Sequence, residues 1–123
     1  MAWNLSSDRP IYLQIMEQIE SDVISGIYLP GERLPSVREL AAEAGVNPNT
    51  MQKAMSELEN SGLIHAERTS GRFITDDPEL IHMRRRQKAR EDTCSYINKM
   101  EQLGLKRDEI AAFVADILKE LRE

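Results

Sequence analysis

Aromatic residues, cysteines and histidines are scarce in this chain of 123 residues. Aromatic side chains make up 5% of the sequence, so a core has to be built from aliphatic residues. The single cysteine, Cys94, excludes an internal disulfide framework. The two histidines, His65 and His82, have no partners at the spacing of metal ligands, so we expect no metal site.

Long apolar runs are also missing. No run approaches the roughly 20 residues that span a bilayer. The first ten residues, MAWNLSSDRP, lack a charged start followed by an apolar stretch, so we expect no signal peptide. We therefore expect a cytoplasmic protein without a membrane partner. No nucleophile–base pair, phosphate-binding loop or metal-ligand set is visible, which argues against an enzyme and against a cofactor.

Positive charge is in deficit, because the formal net charge is −5. Residues 1–75 carry six basic and ten acidic side chains, and residues 76–123 carry ten basic and eleven acidic ones. Domains that bind nucleic acid are usually basic. The overall charge therefore argues against DNA binding unless the positive side chains cluster on one face.

Helical periodicity is the clearest signal that is present. Ile11, Ile15, Ile19 and Val23 recur every four residues and predict a first helix over 10–25. We expect Asp8 to cap this helix, with a Pro-Gly turn following at 30–31.

Two shorter helices are predicted next. A capping-box pattern, S-x-x-E, begins at Ser36, and Gly45 supplies the positive φ that ends this helix. Asn47 caps the following helix, Pro48 occupies its first position and Gly62 ends it. Two helices joined by so short a break are typical of a helix-turn-helix.

The rest of the chain divides into a hairpin and two helices. Residues 63–75 contain two β-prone runs around Thr69-Ser70-Gly71, which predicts a wing. Asp76 or Asp77 caps a long helix that runs to about Leu103, and residues 106–123 form the last helix. The last helix has an apolar stripe of Ile110, Phe113, Val114, Ile117, Leu118 and Leu121.

Residues 9–75 resemble the GntR family of bacterial transcription regulators. The resemblance rests on RPIYLQIMEQIESDVISGIYLPGERLPS, PGERLPSVRELAAEAGVNPNT, AMSELENSGLI and RTSGRFI. It implies a mainly α fold with a small β-hairpin: a winged helix-turn-helix DNA-binding domain (1–75) and a two-helix C-terminal dimerisation region (76–123). A C-terminal part this short is similar to the YtrA-type subfamily, whose members are dimeric repressors, commonly of ABC-transporter operons.

The resemblance also implies roles for individual residues. Arg38 stands where the family's arginine enters the major groove and contacts guanine, and the wing tip lies at the minor groove or its phosphates. Pro48 and Gln52 stand where some relatives have arginines, which predicts fewer charged contacts. The predicted DNA-binding residues are Arg33, Ser36, Arg38, Asn47, Asn49, Thr50, Gln52, Lys53, Arg68, Ser70, Gly71 and Arg72.

We expect a homodimer, since the long helix has little apolar surface at 84–93 to cover the last helix. The predicted dimer residues are Ile97, Ile110, Phe113, Val114, Ile117, Leu118 and Leu121. The basic run 84–90 has two interpretations, a solvated face with intrahelical pairs or a surface for DNA phosphates; the first is favoured. No effector pocket can be identified from the sequence.

The expected function is therefore a homodimeric repressor of its own operon that binds double-stranded operator DNA. The alternative is a winged-helix protein–protein adaptor without specific DNA binding, which the acidic balance and the missing arginines motivate. Selection of binding sites from random DNA discriminates between the two.

Overall fold

The computed structural model describes residues 3–122, and these contain five helices and one hairpin. The helices are α1 (Ile11–Ile24), α2 (Val37–Ala44), α3 (Pro48–Ser61), α4 (Pro78–Gln102) and α5 (Arg107–Glu120). The strands β1 (Ile64–Glu67) and β2 (Gly71–Ile74) form an antiparallel pair between α3 and α4. The predicted fold class, mainly α with a winged helix-turn-helix, is confirmed.

The chain divides into two compact units, with the boundary between Arg85 and Arg86 inside α4. The first unit thus contains α1 to α3, the hairpin and the first turns of α4. The second unit contains the remainder of α4 and α5. The assignment of residues 1–75 to DNA binding and 76–123 to dimerisation stays a prediction.

The core of the first unit is aliphatic, as the composition predicts. Helix α1 packs against α3, and α2 packs against α3 from another side. The centre is formed by Ile15, Ile19, Leu40, Met51, Met55, Leu58, Leu63, Ile64 and Ile74, none of which is more than 1% exposed. Burial of apolar side chains at about 25 cal/mol per Å² is the main term that holds these elements together.

The start of α1 differs from the prediction. Pro10 stands at the N-cap position and no side chain caps the helix, so the expected Asp8 cap is wrong. Asp8 lies too far before the helix and accepts a hydrogen bond from the Ser6 hydroxyl instead. The cap predicted for α4 is confirmed, because the Glu79 amide donates to the carboxylate of Asp77 over 3.0 Å.

Candidate nucleic-acid interface

The ends of α2 and α3 form as their sequences predict. The Glu39 amide donates to the Ser36 hydroxyl over 3.1 Å, and the reciprocal bond of the capping box is also present. Gly45 ends α2 with a φ of 70°. The carboxamide oxygen of Asn47 accepts from the Asn49 amide over 2.7 Å and caps α3. These caps fix the turn that presents the first residues of α3.

The wing has one more pairing segment than the hairpin pattern predicts. Strand β1 pairs with β2 in a register that places Ala66 opposite Arg72. On the other edge of β2, the Leu34 amide donates to the Arg72 carbonyl and the Ile74 amide donates to the Glu32 carbonyl, both over 2.8 Å. The segment before α2 therefore joins the wing to the helix-turn-helix. Sequence analysis missed it because it is too short to show alternation.

Three predicted DNA-binding arginines meet at one cavity of about 320 Å³. We call this cavity the arginine cleft. It lies where the loop before α2, the start of α2, helix α3 and the wing come together. Its lining consists of Arg33, Leu34, Pro35, Ser36, Val37, Arg38, Gln52, Gly71 and Arg72. Although the chain is acidic overall, three of its positive charges are thus concentrated at this cavity.

Gly71 gives the arginine cleft its shape. Its φ of +104° is a conformation that residues with a Cβ rarely adopt. A Cβ at this position would lie 3.2 Å from Nε of Arg33, so the guanidinium occupies the space that a side chain would fill. The glycine at the wing tip is therefore needed both for the turn and for the position of Arg33.

Arg72 has a partner that sequence analysis did not identify. Its Nε donates to the carboxylate of Glu59, which lies on α3 thirteen residues earlier in the chain. The two side chains are only 23% and 30% exposed. Nothing in the local sequence marks Glu59, since the pair forms only when the wing folds against α3.

The other predicted DNA-binding residues are not part of the cleft lining. Asn47, Asn49 and Arg68 are exposed, and Thr50 is half-buried. Ser70 lines a separate cavity with His65 on the wing. The ammonium of Lys53 lies 4.0 Å from the centre of the Tyr12 ring, in a cation–π contact with α1.

The acidic residues of α1 are largely engaged within the first unit. Glu17 pairs with Arg9 over 2.8 Å, and Glu20 pairs with Arg84 over 2.9 Å. Asp22 is buried, and burial raises the pKa of its carboxyl group, opposed by a hydrogen bond from Gln18. These acids do not line the arginine cleft.

Burial also raises the pKa of Tyr28 to about 12, and the nearby carboxylates of Asp22, Glu43 and Glu32 add to the effect. The phenol is therefore neutral at physiological pH. Tyr28 is part of the packing around the core and lies outside the cleft lining.

The basic run 84–90 has a structural role at its start. Arg84 makes the ion pair with Glu20, and Nε of Arg85 donates to the carbonyl of Ile24 at the end of α1 over 2.7 Å. Cations at a helix C-terminus complement its dipole. Further along, Lys88 pairs with Asp92 one turn away, over 3.4 Å. The predicted intrahelical pairing is thus present at Lys88, whereas Arg84 and Arg85 bind α1.

The residues predicted for a dimer interface fall into two groups. Ile110 is 5% exposed, and Ile97 lines a cavity of about 480 Å³ with it inside the second unit. Val114 and Ile117 are half-buried. Phe113, Leu118 and Leu121 are 51%, 62% and 71% exposed. Between residues 86 and 122, Ile110 is the one buried side chain, so α4 and α5 cover little of their own apolar surface.

Neither a metal centre nor a membrane span was found in the described part of the chain. Residues 3–122 contain no group of three or more His, Cys, Asp or Glu side chains placed to hold a metal ion. No helix within these residues has both the length and the apolar character needed to cross a bilayer.

Comparison with known proteins places this architecture in a family. The model of the family described as "Bacterial regulatory proteins, gntR family" matches residues 11–74. The HTH-type transcriptional regulator YhcF of Bacillus subtilis is 39% identical over 104 residues, covering 85% of this chain and 86% of YhcF. The HTH-type transcriptional repressor YtrA of the same organism is 46% identical over 71 residues, covering 58% of this chain and 55% of YtrA.

Similar solved structures support the same family assignment. A GntR family transcriptional regulator from Listeria monocytogenes has a TM-score of 0.85 at 36% identity, covering 91% of this chain and 98% of that one. The DBD of AraR in complex with operator ORX1 has a TM-score of 0.53 at 32% identity, covering 61% of this chain and 92% of that one. The chain therefore belongs to the GntR family, and it is a winged-helix DNA-binding transcriptional regulator and not an enzyme.

Proposed function

We propose that the chain is a homodimeric repressor that acts in the cytoplasm on its own operon. In this proposal α3 and the wing bind each half of a palindromic operator. The arginine cleft is the observation that carries the proposal, because it concentrates three guanidinium groups next to the start of the recognition helix α3. An acidic chain can bind DNA when its cations converge in this way.

Arg38 is the proposed base-reading residue. It is exposed on the first turn of α2, and it lines the cleft together with Gln52 of α3. A guanidinium presents two parallel N–H groups that match O6 and N7 of guanine, and such a pair supplies about 1–3 kcal/mol of discrimination. Asn49, exposed at the start of α3, has the carboxamide chemistry that pairs with adenine.

The remaining DNA contacts are proposed from where the residues lie in the helices and the wing. Ser36, Asn47 and Thr50 lie at helix starts, where small polar groups and amides suit phosphate oxygens. Arg68 and Ser70 are exposed in the turn of the wing, which suits contacts with the adjacent groove. Lys53 has a weaker claim, because its ammonium lies over Tyr12.

Dimerisation is proposed from the second unit. Phe113, Leu118 and Leu121 remain exposed there, and apolar surface of this kind marks a protein–protein contact. A second copy of the chain would cover these side chains, whereas Ile110 is already buried within one chain. Two-fold symmetry would place two α3 helices on half-sites about one DNA turn, roughly 34 Å, apart.

Repression is proposed from the likeness to the HTH-type transcriptional repressor YtrA. An ABC-transporter operon as the target is proposed only from the resemblance of the sequence to the YtrA-type subfamily. Binding of a dimer across a promoter excludes other proteins from the same DNA by steric overlap. No feature of the described residues 3–122 assigns an effector to this chain.

Selection of binding sites from random duplex DNA tests this proposal. We expect an enriched palindrome, and a two-fold-symmetric footprint upstream of the coding gene. Absence of an enriched motif at low salt would favour a protein–protein adaptor instead.

The base-reading role of Arg38 is tested on the selected operator. Arg38→Ala should weaken binding by about 1–3 kcal/mol and relax the preference at one base pair of each half-site. Arg9→Ala is the matched control, because Arg9 is an exposed arginine of the same unit that pairs with Glu17 outside the cleft. Fluorescence anisotropy gives both affinities. Equal affinity and equal base preference for the two variants would remove Arg38 from the base-reading role.

A further inference from the structure

Arg72 is held from three directions at the junction of the wing and the helix-turn-helix. The backbone of Arg72 in β2 is paired with that of Ala66 in β1 across the hairpin. Its carbonyl accepts from the Leu34 amide over 2.8 Å on the other edge of the strand. Its side chain is bound by Glu59 of α3. Backbone and side chain are therefore both fixed relative to the recognition helix.

The bond to Glu59 leaves most of the guanidinium unused. A guanidinium has five N–H donors, and Nε, which bonds Glu59, provides one of them. The other four belong to the two terminal nitrogens. Arg72 lines the arginine cleft together with Arg33 and Arg38. The positive charge of these three guanidinium groups would stabilise a negatively charged group bound in the cleft.

Arg33 is positioned by a different device at the same place. Its guanidinium lies against Gly71, where a Cβ would be 3.2 Å from Nε and 3.4 Å from one terminal nitrogen. The backbone of Arg33 also forms an isolated antiparallel β-bridge with that of Phe73 in β2. Two arginines from separate segments are thus brought to one side of the cleft, next to the residue that is proposed to read a base.

We infer that the arginine cleft binds a backbone phosphate of DNA, and that Glu59 is a positioning residue for Arg72 in this contact. The inference rests on the proposed function and adds a residue outside the contacts predicted from the sequence. Glu59 lies on the recognition helix and carries a negative charge, so by charge alone it would repel DNA. Its effect through Arg72 has the opposite sign, because an ordered arginine loses less conformational freedom when a phosphate binds.

The sign of the Glu59 effect can be measured. Glu59→Gln keeps the size of the side chain and removes its charge. If Glu59 only repels DNA, this variant binds more tightly. If Glu59 positions Arg72, the variant binds the operator roughly tenfold more weakly, since a neutral carboxamide oxygen accepts a weaker hydrogen bond from Arg72 and orders its side chain less. The carboxamide oxygen that replaces the carboxylate can still accept a hydrogen bond from Nε of Arg72, so this partly buried pair is left with no unpaired group and the variant should fold.

Glu57→Gln is the matched control. Glu57 lies on the same helix, is exposed and carries the same charge. We expect Glu57→Gln to bind with unchanged or slightly higher affinity. Thermal unfolding of both variants separates a change in binding from a change in stability.

Salt dependence gives a readout that a structural role would not move. When an arginine no longer binds its phosphate, the slope of log Kd against log salt concentration falls by about 0.9, or by about 1.8 for a dimer with two clefts. The full-length protein, Glu59→Gln, Arg72→Gln and the double variant are titrated with the selected operator and with a scrambled duplex over a series of KCl concentrations. We expect Glu59→Gln and Arg72→Gln to show the same reduced slope, and the double variant to bind no more weakly than Arg72→Gln.

The two proposals fail in different ways. Equal affinity of the wild-type protein for operator and scrambled duplex would overturn sequence-specific repression, while the phosphate contact would still be read from the slopes on either duplex. An unchanged slope in Arg72→Gln would overturn the phosphate contact. Binding of Glu59→Gln as tight as that of Glu57→Gln, with the wild-type slope, would overturn the positioning role.

Discussion

Asp22 is an acidic residue in a buried environment. It is 4% exposed at the end of α1, and its Oδ1 accepts from Gln18 over 3.1 Å. Its Oδ2 is buried without a hydrogen-bond partner among the described residues. Burial penalises the charged carboxylate and raises its pKa above the ordinary value of 3.8. Asp22 is therefore a cost to stability at neutral pH.

Asp22→Asn should raise the free energy of unfolding at pH 7, because the carboxamide removes the buried charge. A raised pKa in the folded state means that the folded protein binds this proton more tightly than the unfolded chain. The favourable contribution of the Asp22 proton to the free energy of unfolding is complete below the pKa of 3.8 in the unfolded chain. This contribution is lost as the pH rises through the pKa in the folded protein. The gain from Asn should thus be absent near pH 3.5 and present at pH 7.

Urea denaturation at a series of pH values measures this difference. Asp116→Asn is the control, because Asp116 is exposed on α5. A gain that is equal at all pH values would show that burial of the Asp22 charge is not its cause.

At the scale of elements, the recognition helix depends on a local cap. The Asn47 side chain is exposed, and its oxygen accepts from the Asn49 amide over 2.7 Å. Pro48 occupies the first position, where a missing amide hydrogen costs nothing. Gly62 ends the helix with a φ of 86°. Each of these signals acts within a few residues, which is why the sequence predicts the helix bounds well.

Asn47→Ala should lower the free energy of unfolding by about 1 kcal/mol, because the Asn49 amide loses its partner. Asn47→Ser should keep nearly the full stability, since a hydroxyl accepts the same hydrogen bond. Chemical denaturation gives both values. If Asn47→Ser is as stable as the wild type and still binds operator DNA more weakly, then Asn47 also contacts the DNA. Equal stability of Asn47→Ala and the wild type would contradict the capping role.

The wing shows the limit of local signals. The Gly-containing turn and the β-prone runs predict the hairpin, and the observed strands confirm it. The third segment at 32–34 and the ion pair between Arg72 and Glu59 join residues that are far apart in the chain. Such contacts have no periodicity and no spacing rule, so a single sequence cannot reveal them.

At the scale of the whole molecule, the expectation of a dimer rests on exposed apolar side chains at the end of α5 and directly after it. Leu118 and Leu121 are 62% and 71% exposed. Leu118→Glu combined with Leu121→Glu should give a monomer in sedimentation analysis. Operator affinity should fall by a factor of about 10² or more, because the two half-sites are then bound independently.

Ala112→Glu is the control for this double variant, since Ala112 is exposed on the same helix outside the apolar stripe. It should leave the mass and the affinity unchanged. A double variant that remains dimeric would show that these leucines are not at the interface.

The basic run shows how the same composition serves different purposes along one helix. Arg84 and Arg85 bind α1 and attach the first turns of α4 to the first unit. Lys88 forms an intrahelical pair in the second unit. The charge pattern predicts a solvated helix, and only the packing of α4 on α1 distinguishes the first two arginines from the others.

The sequence by itself determined the helix-turn-helix, the wing, the aliphatic core and the family. These depend on caps, glycines and periodicity, which act over one or two turns of chain. The tertiary structure alone decided that Arg33, Arg38 and Arg72 share one cleft, that Glu59 holds Arg72, and that Asp22 is buried. Those features are tertiary contacts between residues of separate elements. The free energy of such a contact depends on the burial of its groups and the distance between them, and no local sequence pattern records either quantity.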